Sequence, residues 1–237
     1  MKTKKPTEEE MKALKGENNV EALVYAIDAR LTVKTSLIVV GRASYELGDA
    51  EETKKLRLLM GEEERVDDKT GKLFLTDDLD CCQTAQEIID VAFQTSYLAE
   101  MANCYVHALN EQTLVLPMGW QARLQDIPST LALKNLELRR LDPLDFLICK
   151  GAAGRAKDIK FLQAFCQVQS ISREQIQQKV TETLTRMTAR LHMDPLSQKY
   201  LKMLPNRIYP KQAIASNAPC APQDTQEPKV KPQNGIS

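Results

Sequence analysis

The chain has 237 residues and a formal net charge of zero, because 32 lysines and arginines balance 32 aspartates and glutamates. This balance excludes a histone-like protein that binds nucleic acid through bulk positive charge, so any nucleic-acid contact has to be local. Hydrophobic residues make up 43% and charged residues 27%, which is typical of a globular protein with a core. The sequence shows no bilayer-spanning apolar run and no signal-peptide core, so we expect a cytoplasmic protein without a membrane segment.

The first part of the chain is expected to alternate helix and strand. A capping pair and the apolar spacing behind it predict one or two helices over residues 8–30. A run of β-branched residues and leucine predicts a buried strand over 35–40, which ends at Gly41. Helix is expected again over 43–48 and over 51–60.

The middle of the chain combines strand and helix signals. Residues 73–82 are predicted to form a second strand after a charged turn. Thr84 and Glu87 have the spacing of a capping box, which predicts the start of a single long helix. Residues 104–127 are expected to be extended, and 131–138 to form one strand or a pair of strands.

The C-terminal part has strong helix starts. Asp142 is a typical N-cap residue, and Pro143 suits the first helical position. Ser172 and Gln175 form a capping box for a last long helix. Residues 206–237 are rich in Pro, Gln, Asn and Ala, and we expect a disordered tail.

These elements predict an α+β fold with a small mixed β-sheet flanked by helices and followed by a helical extension. The predicted units are an N-terminal extension at 1–19, a main domain at 20–168 with an insertion at 49–72, a helical region at 169–205, and the tail.

The triplet Asp78-Leu79-Asp80 is the first candidate for chemistry. Residues two apart in a strand share a face, so both carboxylates would point the same way. Such a pair offers oxygen ligands to Mg²⁺, and two such ions can bridge the oxygens of a triphosphate. About four acid-x-acid triplets are expected by chance at this composition, so a solvated strand end is the simpler alternative.

The turn Gly41-Arg42-Ala43-Ser44 is the second candidate. A strand that runs through glycine into a helix lets backbone N–H groups approach a phosphate. A plain turn that needs the conformational freedom of glycine explains the pattern at least as well.

Lys150 and Arg155 form the third candidate, because small residues between them leave room for a ligand. A lysine there can neutralise phosphate charge, and an arginine can bind phosphate through two hydrogen bonds. An ordinary helix surface with Lys–Asp pairs is the alternative.

Other residues suggest packing rather than chemistry. His107 and His192 are the only histidines and lie far apart in sequence, so a histidine-based metal site is not expected. The six cysteines show no CxxC spacing, which favours isolated thiols over zinc ligands or disulfides. Trp120, beside a glycine, is expected to anchor the core under a loop.

These motifs together resemble a known family. The strand that ends at Gly41, the Asp78-Leu-Asp80 triplet, and the segments 114–124 and 141–158 are similar to bacterial nucleotidyltransferase-fold proteins. These proteins belong to the polymerase-β-like superfamily, near the AbiE-type toxins of toxin–antitoxin systems. The specific parts are the Leu-Pro-x-Gly-Trp stretch and the Asp-Pro-x-Asp…Lys…Gly-Arg-x-Lys-Asp helix, and the similarity covers roughly residues 20–180.

The resemblance implies metal-dependent transfer of a nucleoside monophosphate from an NTP to an RNA or protein hydroxyl, with an antitoxin-like protein as a possible partner. The implied site residues fall into three groups. Asp78 and Asp80 would hold Mg²⁺. The nucleotide phosphates would be held by Gly41, Arg42, Ser44, Lys150 and Arg155. Asp158 would position Lys150 or a metal-bound water.

Three features depart from the superfamily pattern. Arg42 stands where glycine or serine usually follows the glycine, and it would either crowd the phosphate or bind it. The distance from Gly41 to Asp78 is long, which is why 49–72 is expected to be an insertion. No later strand carries an obvious third carboxylate, and Glu137 is the best candidate.

Two hypotheses of function follow. The first is a Mg²⁺-dependent nucleotidyltransferase, either of the toxin type or a housekeeping transferase. The second is a module of the same fold that has lost catalysis and acts by binding, as the unusual Arg42 and the missing third acid would indicate.

Overall fold

The computed structural model describes residues 14–47, 50–127, 131–188 and 193–210, together with Thr7 and Met11. The strands of this part of the chain are β1 Thr35–Val39, β2 Asp78–Cys82, β3 Tyr105–Leu109, β4 Gln125–Asp126 and β5 Leu136–Arg140. Its helices are α1 Asn19–Asp28, α2 Ala43–Glu46, α3 Ala50–Met60, α4 Gln86–Ala92, α5 Tyr97–Ala102, α6 Pro143–Ala153, α7 Ala156–Val168, α8 Arg173–Thr188 and α9 Pro195–Ile208.

The five strands form one mixed sheet in the order β3-β2-β1-β5-β4. β1 is parallel to β5 and antiparallel to β2, while β2 is parallel to β3. A parallel pair needs a crossover, and α4 and α5 supply it between β2 and β3. The predicted α+β class, with a small mixed sheet flanked by helices, is therefore confirmed.

The central strand β1 divides the interior into two cores. Leu37 and Val39 lie in the core formed with α1, α4 and α5. Ile38 and Val40 lie in the core on the other face, formed with α3 and with α6 to α9. Successive strand residues point to opposite faces, so the apolar run predicted to be a buried strand supplies both cores at once.

Helix α3, which lies within the predicted insertion at 49–72, belongs to the second core. Leu56 and Met60 of α3 are buried in the same cluster as Phe161 and Phe165 of α7. α3 packs along α7, so this segment is a structural part of the helical layer.

α6 begins and ends where local signals indicate. Asp142 accepts a hydrogen bond from the N–H of Leu144 at 2.9 Å, and Pro143 is the first helical residue. The helix ends at Gly154, whose φ of +67° is a left-handed conformation that glycine adopts without strain. A β-carbon on Gly154 would overlap the ring of Tyr200 on α9, so the two helices approach closely.

The last two helices pack into the same core as α6 and α7. The predicted capping box of α8 is present, since Ser172 N–H donates to Gln175 Oε1 at 2.7 Å and Gln175 N–H donates to Ser172 Oγ at 3.3 Å. α9 continues to Ile208, two residues beyond the predicted start of the tail at Asn206. Residues 211–237 lie outside the described part of the chain.

Other predicted boundaries were wrong. The strand expected over 73–82 begins only at Asp78. The capping box at Thr84 is absent, because Ala85 takes the N-cap position of α4 and Thr84 Oγ1 is buried without a hydrogen-bond partner. The expected long helix breaks at Phe93, where the backbone is extended, and Ser96 caps a second helix.

In the described part of the predicted helical segment 8–30, the α-helix of several turns is Asn19–Asp28. It begins at Asn18, whose side chain accepts a hydrogen bond from the N–H of Glu21 at 2.8 Å. Residues 8–10, 12 and 13 lie outside the described part of the chain, as do residues 48 and 49.

Candidate active site

Asp78 and Asp80 stand at the start of β2 and share one face of the sheet. Leu79 between them points to the opposite face, where it is fully buried and fixes the strand. The side chains of Asp78 and Asp80 are 39% and 20% exposed, so a ligand from solvent can reach both carboxylates. Thr76 Oγ1 donates a hydrogen bond to Asp78 Oδ1 at 3.2 Å.

Lys150 reaches the same place from α6. Its Nζ lies 3.4 Å from Oδ2 of Asp80, and its side chain is 13% exposed. Leu147 and Ile148, which are fully buried, hold this part of the helix against the core. The structure thus brings the acidic strand start and the lysine of the predicted site into direct contact.

His107 lies beside both aspartates, although no histidine was expected at a metal site. Its Nδ1 is 3.0 Å from Asp80 Oδ1 and 4.0 Å from Asp78 Oδ2. The histidine belongs to β3, and the β2–β3 pairing places it opposite Asp80. The sequence could not reveal that His107 neighbours Asp80, because no local pattern specifies which strands pair. The other histidine, His192, lies outside the described residues.

Gly41 packs against Asp80 rather than against open solvent. A β-carbon at Gly41 would lie 2.8 Å from the Cβ of Asp80, so glycine is needed for this close approach. The Gly41 N–H donates to the backbone oxygen of Asp80 at 3.3 Å. This donor is used within the protein, so the structure gives no support to the predicted contact with phosphate.

Ser44 also has its hydrogen bond within the protein. Its side chain is fully buried, and the hydroxyl donates to the backbone oxygen of Gly41 at 2.7 Å. The hydroxyl therefore stabilises the turn after β1, and its predicted role at a phosphate gains no support.

Arg42 is held by two carboxylates. Its guanidinium donates to Glu46 at 2.8 Å and to Glu62 at 2.9 Å, and it lies 5.1 Å from the centre of the Phe161 ring. The hydrogen bond from Arg42 holds the pKa of Glu62 below its ordinary value. A nucleotide phosphate would have to displace these acids, so phosphate binding by Arg42 stays a prediction without structural support.

Arg155 and Asp158 pair with each other at the start of α7. The distance between Arg155 Nε and Asp158 Oδ2 is 2.7 Å, and the arginine side chain is 47% exposed. Within the described ranges, neither side chain forms a hydrogen bond or ion pair with Asp78 or Asp80. Their predicted roles at the phosphates and beside Lys150 remain predictions.

Glu137 lies away from the aspartate pair. It stands opposite Ser36, four residues before Val40, whose backbone N–H donates to the backbone oxygen of Asp80. Four residues of strand correspond to about 13 Å. The Glu137 side chain is 61% exposed and pairs with Lys34 at 3.8 Å, so it does not supply a third carboxylate here.

The Leu-Pro-x-Gly-Trp stretch is attached to the core by its arginine and tryptophan. Trp120 is buried, as predicted for a core anchor. Arg123 donates from Nε and Nη2 to the two oxygens of Asp145 at 2.8 and 3.1 Å. Lys179 of α8 lies 2.8 Å from the same carboxylate, which is completely buried.

The thiols near the site are enclosed by the protein. Cys81, Cys82 and Cys149 are buried and free. Burial raises the pKa of Cys82 to about 12 and that of Cys149 to about 11. Burial therefore disfavours the thiolate form of these cysteines.

A family model described as "Nucleotidyltransferase of unknown function (DUF6036)" matches residues 22–204. The chain belongs to this family. The matched range includes every candidate residue of the site, from Gly41 to Asp158, and extends into α9. Neither the curated proteins nor the solved structures gave a significant match.

Among the helices that the structure describes, each is too short or too polar to cross a lipid bilayer.

Proposed function

We propose that the protein transfers a nucleoside monophosphate from an NTP to a hydroxyl group of an RNA or protein, with a divalent metal ion at Asp78 and Asp80. Membership of a nucleotidyltransferase family supports a transferase of this general class. The observation that carries the proposal is the contact between the acidic pair on β2 and the lysine on α6. Lys150 Nζ lies 3.4 Å from Asp80 Oδ2.

The donor set at β2 fits a divalent ion. Asp78 and Asp80 are partly exposed on one face, and carboxylate oxygens are the ligands that Mg²⁺ takes in proteins. Mg²⁺ is the ion predicted from the sequence. When bound, such an ion neutralises charge on the phosphate oxygens and orients the reacting groups.

Lys150 supplies a positive charge from the protein in addition to that of the metal ion. Lys150 is held between the core and Asp80, so its ammonium group is positioned before an NTP arrives. Phosphate oxygens that enter beside Asp80 would meet this cation, which stabilises the negative charge that develops in phosphoryl transfer. Gly41 lets β1 approach β2 closely and thereby keeps Asp80 in place.

The test is NTP-dependent labelling. Wild-type protein with a labelled NTP should modify an RNA or protein acceptor, and Asp80→Ala should reduce labelling at least about 100-fold, because an essential ligand is lost. Asp77→Ala is the matched control, since Asp77 is an exposed neighbour in sequence, and it should label like the wild type. Equal labelling by wild type and Asp80→Ala would reject the mechanism.

A binding module without catalysis is the second candidate. It is favoured by the position of Glu137, which leaves the described residues without a third carboxylate at Asp78 and Asp80. Calorimetry with Mg-ATP separates the two candidates. Binding that disappears in Asp78→Asn favours the enzyme, whereas no binding at saturating nucleotide favours the module.

The toxin-type role, the relationship to AbiE-type proteins and the bacterial origin stay predictions from the sequence. The antitoxin-like partner and the cytoplasmic location have the same standing.

A further inference from the structure

β3 brings His107 to the two aspartates through backbone pairing. In the parallel β2–β3 pair, Asp78 lies opposite Tyr105 and Asp80 lies opposite His107. Residues two apart in a strand share a face, so the imidazole stands on the face of both carboxylates. Its Nδ1 is directed at the acids, and the side chain is 48% exposed, so the imidazole lies at the protein surface beside them.

The spacing of the three side chains suits ligands of a single ion. His107 Nδ1 lies 3.0 Å from an oxygen of Asp80 and 4.0 Å from an oxygen of Asp78. Around an octahedral ion with bonds of about 2.1 Å, neighbouring ligands stand about 3 Å apart and opposite ligands about 4 Å apart. One ligand atom from each of the three residues lies within 4.8 Å of the others.

We propose that His107 is the third protein ligand of the ion at Asp78 and Asp80, and that the site consequently prefers Mn²⁺ to Mg²⁺. Mg²⁺ favours oxygen ligands and gives up its water reluctantly, whereas imidazole nitrogen suits first-row transition ions. Mn²⁺ accepts carboxylate oxygens as well, so it matches two aspartates and one histidine. The ion would serve the nucleotidyl transfer, and this site therefore rests on the proposed function.

The charges at the site favour a single ion before nucleotide binds. Lys150 Nζ lies 3.4 Å from Asp80 Oδ2, so one of the two carboxylates is already partly neutralised. Asp80 Oδ1 faces His107 Nδ1 at 3.0 Å, so an ion bound between the two atoms would take the place of this hydrogen bond. A second ion would need negative charge from outside the protein, such as the phosphates of an NTP.

Metal binding to the full-length protein tests the proposal without any turnover. Metal-free protein is titrated with MnCl₂ or MgCl₂ by calorimetry in the absence of nucleotide. One Mn²⁺ should bind per chain, at least about tenfold more tightly than Mg²⁺. Electron spin-echo spectroscopy of the Mn²⁺-loaded protein should show coupling to a nitrogen nucleus, as expected for a histidine ligand.

Variants then assign the nitrogen. In His107→Gln, the nitrogen coupling should disappear and Mn²⁺ affinity should fall about tenfold, while Mg²⁺ affinity stays within about twofold of wild type. Tyr105→Phe is the matched control on the same strand and face, and it should keep the coupling. Thermal unfolding shows whether each variant is folded.

A wild-type Mn²⁺ spectrum without nitrogen coupling would overturn the proposal, even if His107→Gln failed to fold. A spectrum of this kind would mean that His107 forms a hydrogen bond with Asp80 and does not bind the ion. If the spectrum lacks nitrogen coupling but labelling still depends on Asp80, the proposed transferase function is retained and only the histidine ligand is rejected. Nitrogen coupling that is lost in His107→Gln, in a protein that labels no acceptor, would support the ion site and contradict the transferase function.

Discussion

Asp80 and Asp145 each meet a lysine of the helical layer, but water reaches only one of them. The Asp80 side chain is 20% exposed to solvent, and its two oxygens are contacted by Lys150 and by the half-exposed His107. Asp145 is completely buried, and Arg123 and Lys179 occupy both of its oxygens. The first carboxylate can still take a ligand, whereas the second cannot.

The difference shows that residue type and spacing do not identify a working acid. Asp145 lies on the same helix as Lys150, within the motif that carried the family resemblance. A carboxylate has about four lone-pair positions, and its capacity for a ligand depends on how many are already used. Asp145 therefore stabilises the fold, while Asp80 is the candidate for chemistry.

The largest expected effect is on stability at Asp145. Asp145→Ala would leave two partly buried cations, Lys179 and Arg123, without their carboxylate, and breaking such a pair costs about 3–5 kcal/mol. Urea unfolding followed by circular dichroism measures the free energy of unfolding. Asp80→Ala is the comparison, and it should change that free energy by less than about 1 kcal/mol, because its loss relieves repulsion with Asp78. Equal destabilisation by the two variants would remove the distinction between the two acids.

The two lysines should separate activity from stability. Lys150→Gln should lower the labelling rate about 100-fold, because one stabilising cation at the phosphates is lost, with little change in the free energy of unfolding. Lys179→Gln should do the opposite and destabilise the fold by about 2 kcal/mol, since a charged hydrogen bond to a buried acid is lost. Labelling kinetics and urea unfolding of both variants test this separation of roles. A Lys179→Gln protein that is stable but inactive would contradict the structural role assigned to Lys179.

Gly41→Ala tests whether backbone packing holds Asp80. The new β-carbon would meet the Cβ of Asp80 at 2.8 Å, so β1 and β2 must shift, which should cost about 1–2 kcal/mol and weaken metal binding. The control is the same substitution in protein that also carries Asp80→Gly, where no β-carbon remains at position 80. If urea unfolding gives the same cost in both backgrounds, the contact does not explain the glycine.

Asp28 is a third kind of acid, whose carboxylate is held by backbone N–H groups. Its substitution is expected to have the smallest effect on stability. Its carboxylate accepts backbone N–H groups of Lys134, Asn135 and Leu136. Burial alone would raise the pKa of Asp28, but these donors outweigh burial and hold the pKa below its ordinary value. The folded protein thus binds this proton less readily than the unfolded chain does, and Asp28 stabilises the fold above the ordinary aspartate pKa.

This contribution is lost as the pH falls through the lowered pKa of the folded state. Asp28→Asn should therefore be less stable than wild type near neutral pH, and the difference should shrink at acid pH below the ordinary aspartate value. Thermal unfolding across that range measures it. A difference that does not change with pH would show that the hydrogen bonds do not depend on the charge.

The parts of the site that could be predicted from sequence depend on local signals. Asp142 and Pro143 specify the start of α6, and the periodicity of the helix then determines which face Lys150 occupies. The alternation of Asp78, Leu79 and Asp80 specifies the shared face of the carboxylates. The contact between Lys150 and Asp80 followed from a resemblance that already linked the two elements.

The parts that could not be predicted depend on distant partners. His107 is 27 residues from Asp80, and only strand pairing makes them neighbours. Arg42 looked available for phosphate, but Glu62, 20 residues later, occupies it. A motif does not show whether another residue of the protein already binds a candidate side chain, because that partner lies in a distant segment of the sequence.

Gly151 follows Lys150 directly, and a β-carbon there would overlap Leu204 of α9. Helix α9 thus packs closely against the backbone of α6 beside Lys150. A random-mutagenesis screen for inactive protein should consequently return substitutions in α9 as well as in β2. Such remote hits would report on how the lysine is supported, and they should not be taken for an additional substrate contact.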